Sequence, residues 1–172
     1  MTHSNLLHDT KIAYIAGFLD GDGSINAQII QRKDYQLGFQ IRVSITFFQS
    51  SNRHWFLLQM QKLLPGGCLR KRKDGISEYS IVGPQRVLRI CELLLPYLQI
   101  KQKQAFLLVD IIKRMKKNQS REDFLALCEM VDRFEFLNDS KKRAKSSIFV
   151  QSEWKKLFPV ETSEKRLNPS IE

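Results

Sequence analysis

A chain of 172 residues and 20.1 kDa suits one domain with at most a tail, and a composition of 42% hydrophobic and 27% charged residues excludes wholesale disorder. That length buries a core without disulfides or structural metals as staples. The 28 Lys and Arg against 18 Asp and Glu give a net charge of +10 and a pI near 9.7. Such a surplus points to a polyanionic partner, and to nucleic acid before a membrane, because no apolar run reaches the ~18 residues of a spanning helix. Cys68, Cys91 and Cys128 are odd in number and show no ligand spacing, which argues against a zinc site or a disulfide framework; each is expected to be a small buried apolar residue. His3, His8 and His54 form no constellation, and His54 reads as a surface histidine before a base-stacking or phosphate-binding one. The first eleven residues lack the pattern of a secretory or transit leader, so the expectation is a protein made where it works, in a reducing compartment.

From Thr10 to Leu19 the chain reads as a helix that is apolar nearly all round, through Ile12, Ala13, Tyr14, Ile15, Ala16, Gly17, Phe18 and Leu19. A helix without a polar face must be buried or meet another helix, and Ala13, Ala16 and Gly17 admit close approach of a second backbone. Gly21 and Gly23 end it. In the strand that follows, Ile25, Ala27 and Ile29 point one way and Asn26, Gln28 and Ile30 the other. After a polar loop the alternation returns in the longest strand. There Phe39, Ile41, Val43, Ile45 and Phe47 form a core face, and Gln40, Arg42, Ser44 and Thr46 the opposite one. The pattern next predicts a helix from Ser51 to Leu64, including Trp55 and Phe56 as core residues, and a hairpin of Cys68–Arg72 with Ile76–Val82 around Lys73-Asp74-Gly75. Pro84 opens a helix that ends before Pro96, with Val87, Leu88, Cys91, Leu94 and Leu95 as its buried stripe. Helices from Lys101 to Lys116 and from Arg121 to Leu137 follow, the second with the capping pair Ser120 and Asp123. A basic run, Lys141-Lys142-Arg143-Ala144-Lys145, and a weakly patterned tail close the chain. The expected division is an extension at 1–9, one domain at 10–149 and a tail at 150–172.

Helix, two strands, helix, two strands and further helices define an α+β domain, with helices on one side of an antiparallel sheet. The uncovered side presents Asn26, Gln28, Gln40, Arg42, Ser44, Thr46, Arg70 and Arg72, with Glu78 its one acidic residue. Arg suits guanine edges and Asn or Gln adenine edges, whereas a merely solvated sheet face favours Lys, Glu and Thr. An RNA module would stack bases on sheet aromatics, which are few here.

The segment Ile15-Ala16-Gly17-Phe18-Leu19-Asp20-Gly21-Asp22-Gly23 closes the apolar helix and feeds directly into an alternating strand. It closely resembles the motif of the LAGLIDADG homing endonucleases. Arg53-His54-Trp55-Phe56-Leu57, Leu98 to Ala105 and Leu137 to Lys141 are similar to single-motif members from algal organelle introns. The resemblance spans about residues 10 to 145 and implies an αββαββα fold whose four-stranded saddle sheet lies along DNA.

For activity, the resemblance implies a site-specific double-strand endonuclease of intron homing. Phosphodiester hydrolysis needs an activated water and neutralisation of charge on the phosphate, which carboxylate-held Mg²⁺ supplies, with Mn²⁺ as substitute. It assigns metal ligation to Asp22 and the Gly21 carbonyl, and catalytic solvent ordering to Gln49, Arg53 and Lys101. With one motif per chain, a C2 homodimer through Ile12, Ala13, Ala16, Gly17 and Asp20 would bring two Asp22 side chains together. In the family the Asp20 position is mainly structural, and an acid at a helix C-terminus calls for a compensating contact. DNA contacts fall on Asn26, Gln28, Ile30, Arg32, Asp34, Tyr35, Gln40, Arg42, Ser44, Thr46, Arg70, Arg72, Glu78 and Ser80, with Lys141, Lys142 and Arg143 on flanking phosphates. Ile30 and Asp34 depart from the pattern expected of the family. The implied location is an organelle, the chloroplast first and the mitochondrion second. The alternative is a non-cleaving maturase or DNA-binding module on the same scaffold.

Overall fold

The computed structural model describes residues 3–64, 66–138 and 145–157, with side chains described from residue 9 onward. Helix α1 (His3–Asp22) passes without a loop into β1 (Gly23–Gln31), which pairs with β2 (Phe39–Ser50). A 3₁₀ turn (Ser51–Arg53) leads into α2 (His54–Leu63), then β3 (Cys68–Lys71), β4 (Ile76–Val82) and α3 (Pro84–Leu94). Helices α4 (Gln102–Arg114), α5 (Arg121–Asp132), α6 (Phe134–Leu137) and α7 (Ser147–Leu157) complete the described chain. All strand pairs are antiparallel, in the order β1-β2-β4-β3.

The period-two pattern dictates which face is covered. Ile25, Ala27, Ile29, Phe39, Ile41, Val43, Ile45, Phe47, Tyr79 and Ile81 are all buried, and α1 to α5 pack against the sheet. Phe47 stacks between partly buried Phe18 and fully buried Tyr79, and complete burial of the Phe47 ring stabilises the fold by roughly 1.5–3 kcal/mol over exposure. Tyr79 also donates its hydroxyl to the carbonyls of Leu64 and Gly66, which fixes the end of α2 over the sheet. Gly67 beside it has φ 108°, and a Cβ there would lie 2.7 Å from Ser80 O and 2.9 Å from the Tyr79 ring, so no side chain fits.

Six expectations need correction. Helix α1 begins at His3, seven residues before Thr10, because its first turns carry no apolar periodicity to mark them. Of the expected tail at 150–172, residues 150–157 belong to α7, which buries Val150 and Trp154 and donates from Trp154 Nε1 to Leu37 O at 2.9 Å; residues 158–172 lie outside the described residues. The helix expected to run from Arg121 to Leu137 breaks at Arg133, and in α3 Ile90 is buried where Leu88 and Leu95 are only partly so. Cys68 is exposed because it lies on the uncovered sheet face, and Trp55 is 57% exposed on the outer side of α2.

Candidate nucleic-acid interface

The junction of α1 and β1 is dictated by Gly23. A Cβ at that position would lie 2.8 Å from Leu19 O, so only glycine lets the helix turn at once into the strand. The consequence is that Gly21 and Asp22, both exposed, stand at the very end of the helix. Asp22 makes no hydrogen bond or ion pair among the described residues, and its carboxylate is free to meet a ligand. Asp20 behaves oppositely. It is 7% exposed, and its two carboxylate oxygens accept the backbone N–H groups of Gln99 at 2.7 Å and Lys101 at 2.8 Å. Lys101, whose main chain is thus held, also donates from Nζ to the Asp20 carbonyl oxygen. The acid at the helix C-terminus therefore receives the compensating contact its position demands, and it ties the motif to the start of α4.

Register brings the other candidates to the same end of the sheet. Gly23 pairs with Phe47, so Gln49 lies just beyond the start of β1. Gln49 Oε1 accepts from Ser50 N at 2.8 Å and from Arg53 Nη1 at 3.4 Å. Asp22, Gln49, Arg53 and Lys101, scattered over eighty residues of sequence, are thus gathered at one end of the fold. Asn138 reaches there as well, donating from Nδ2 to Ile25 O at 3.3 Å.

The uncovered face carries the remaining candidates in a register-defined grid. Gln28 pairs with Arg42, Asn26 with Ser44 and Ile30 with Gln40, while Thr46 pairs with Ser80 through hydroxyls 2.7 Å apart. Arg70 is opposite Glu78 and donates to its Oε1 from Nη2 at 2.6 Å and from Nε at 3.1 Å. Arg72 binds Asp74 at 2.5 Å and lies 3.8 Å from Glu78. At the distant β1–β2 hairpin, Arg32 grips Asp34 through two hydrogen bonds of 2.7 and 2.9 Å and lies over the Tyr35 ring. The Arg32 hydrogen bonds hold the Asp34 carboxyl at about 2, below the ordinary carboxylate range. Arg42 forms no ion pair among the described residues, so it presents an uncompensated charge in the middle of the face.

Some expectations fail here. Ile12 and Ala16, expected between two subunits, are 3% and 0% exposed in this chain's own core, because helix α1 also covers the sheet. Ala13 is half-buried and Gly17 exposed, so they remain available, whereas Asp20 is committed within the chain. His54 is no plain surface histidine, since its Nδ1 lies 3.0 Å from Ser77 Oγ. Ser24, Phe48 and Cys68 share the uncovered face and escaped the sequence reading. Continuing the parity of Asn26 back to Ser24, of Thr46 on to Phe48 and of Arg70 back to Cys68 identifies them. Lys141, Lys142 and Arg143 lie outside the described residues. Their neighbours Asn138 and Lys145 bind Ile25 O and Gln31 Oε1, near the two ends of β1.

A helix that ends in a free acid, joined to a basic four-stranded saddle open on one side, defines a class. A family model described as LAGLIDADG endonuclease matches residues 15–113, and the chain belongs to that family. Its relatives are specific. It is 45% identical over 143 residues to DNA endonuclease I-CvuI of Chlorella vulgaris, which covers 83% of this chain and 89% of that protein. It is 36% identical over 142 residues to DNA endonuclease I-CreI of Chlamydomonas reinhardtii, at coverages of 82% and 86%. A crystal structure of I-CvuI in complex with its target in the presence of Ca superposes with a TM-score of 0.84 at 42% identity, covering 88% of this chain and 97% of that one.

Proposed function

We propose that this protein is a homodimeric, Mg²⁺-dependent homing endonuclease that makes site-specific double-strand cuts in DNA. The observation that carries the reading is the continuity of the open basic sheet face with the end that collects Asp22, Gln49, Arg53 and Lys101. The uncovered strands lie along successive major grooves of a long, nearly palindromic site. There Arg42, Arg70 and Arg72 face guanine edges, and Gln28 and Gln40 adenine edges. Glu78 orients Arg70 before contact, so less side-chain freedom is lost on binding. Lys141, Lys142 and Arg143 grip flanking phosphates, and bending of the central base pairs adds specificity without contact.

The donor chemistry fits a divalent ion. Asp22 offers an exposed, unpaired hard-oxygen ligand beside the Gly21 carbonyl, and no group of three or more His, Cys, Asp or Glu suited to a metal occurs among the described residues. Asp22 is thus part of a ligand set, and a second Asp22 from the partner subunit completes it. When bound, Mg²⁺ (or Mn²⁺ in its place) supplies water activation and neutralisation of charge on the phosphate and leaving oxygen. Gln49 orients the attacking water, and Arg53 and Lys101 add positive charge beside the scissile phosphate. Ala13, Gly17 and Gly21, spaced by four residues, form the stripe on which the two α1 helices meet, and a Cβ at Gly17 or Gly21 would meet nothing within 4 Å in its own chain. Exposed Tyr14 flanks that stripe. The cuts fall across the central minor groove and leave short 3′ overhangs, into which repair copies the intron. An organelle is the proposed location, the chloroplast before the mitochondrion.

The test is incubation with an intronless ribosomal-RNA gene segment and Mg²⁺, with Asp22→Asn alongside and sedimentation of both at low micromolar concentration. The reading expects a dimer that cuts, and a variant that binds without cutting. Binding without any Mg²⁺-dependent break would establish the maturase or binding-module alternative instead.

A further inference from the structure

Beside the Gln49–Arg53 pair lies a hydrogen-bonded cluster centred on Ser77. Ser77 is fully buried in β4 and pairs in register with Gln49. Its Oγ lies 3.1 Å from Ser51 Oγ and 3.0 Å from His54 Nδ1. Ser51 also donates its backbone N–H to Gly75 O at 2.8 Å. The 3₁₀ turn is thus fastened to the beginning of β4 at both sides of Arg53, by Ser51 before it and His54 after it. A strand position buried this deeply is ordinarily filled by an apolar side chain, and a hydroxyl there must find partners. Here it has two, and the arrangement holds in either proton order. Ser77 donates to an unprotonated Nδ1 and accepts from Ser51, or accepts from Nδ1–H and donates to Ser51.

We infer that Ser77 and His54 are positioning residues for Arg53 and Gln49. They hold the turn so that the guanidinium of Arg53 stays against the Gln49 amide and both face the Asp22 end of the sheet. The inference deepens the nuclease reading and rests on it for its catalytic consequence. Its structural part stands alone, because the fastening either holds the turn or does not. Neither residue is exposed on the DNA-reading grid, so their removal disturbs the chemistry before it disturbs recognition.

The experiment compares full-length Ser77→Ala, His54→Ala and His54→Asn with the unaltered protein. Asparagine places an amide group close to the position of Nδ1 and serves as the conservative rescue. Three quantities are read: amide hydrogen exchange across residues 51–54, target affinity without metal, and single-turnover cleavage with Mg²⁺. In Ser77→Ala and His54→Ala, exchange in the turn accelerates and cleavage slows about tenfold, as expected for a misplaced catalytic pair, while affinity stays within about twofold. His54→Asn restores both exchange and rate. The inference is overturned if turn exchange is unchanged in Ser77→Ala, if affinity and rate fall together, or if Asn rescues no better than Ala. Should the unaltered protein itself fail to cut, the nuclease reading falls, while the exchange data still decide whether the fastening sets the turn.

Discussion

Asp20→Asn is the most informative single change to the fold. Asn keeps the shape of Asp, but it offers one acceptor oxygen where two N–H donors, from Gln99 and Lys101, converge. Its amide NH₂ must face one of them, donor against donor. Hydrogen bonds to a charged acceptor contribute about 1.5–3 kcal/mol each. Gln99 is exposed, so water recovers part of the loss on that side. The net cost is then about 2–3 kcal/mol, a sizeable share of a stability of about 5–15 kcal/mol. In a chain of this length that lowers the melting temperature by about 4–12 °C. Urea unfolding should show a lower midpoint with an unchanged slope, since the surface exposed on unfolding is the same. Lys101 should lose its fixed position, so single-turnover cleavage falls further than target affinity. A midpoint equal to that of the unaltered protein would refute the view that Asp20 clamps the motif to α4.

Other consequences are equally direct. Trp154→Phe removes the indole N–H bond to Leu37 O and keeps the ring packing, so it costs about 1 kcal/mol and accelerates hydrogen exchange in the β1–β2 hairpin; unchanged exchange there would deny α7 its role as a brace. Burial pushes the Cys91 and Cys128 thiols up to about 12 from an ordinary 9.0. In a thiol-titration assay at pH 8, Cys68 alone should react in the native protein and all three on unfolding. Because the unfolded chain gives up these two protons first, stability should decline as pH rises from about 9 toward 12, measurable by the denaturation midpoint. Asp34→Asn frees Arg32 from its bidentate partner, and the slope of log affinity against log salt should steepen by about 0.9, the value for one added phosphate contact; an unchanged slope would show that Arg32 does not reach the backbone.

Much of this architecture can be read without coordinates, for identifiable reasons. The alternation in residues 39–47 survives because burial in a one-sided sheet has the period of the strand itself, and the open face follows by parity. The motif segment marks its own place because only glycine permits the helix-to-strand junction. What escapes notice depends on partners distant in sequence. The place of Asp20 at a helix C-terminus announces that a compensating contact is needed, but its partners lie 79 and 81 residues away and no local pattern names them; Ser77 meets a turn 23 to 26 residues away, which nothing local announces. Helix α7 hides because its buried apolar anchors are only Val150 and Trp154, too sparse a stripe to stand out. A helix apolar on every side cannot say which of its faces meets its own sheet. The structure shows it: Ile12 and Ala16 turn inward, Ala13 is half-buried, and Gly17 and Gly21 stay exposed.

The proposed joint action of two Asp22 side chains is tested most directly by a mixed dimer, one subunit intact and the other carrying Asp22→Asn, purified with two affinity tags and offered the target with Mg²⁺. If a paired ligand set is required, this dimer binds the site as the intact protein does and makes no double-strand break. Full-rate double-strand cutting by the mixed species would show that each subunit works alone, and the shared centre would have to be given up.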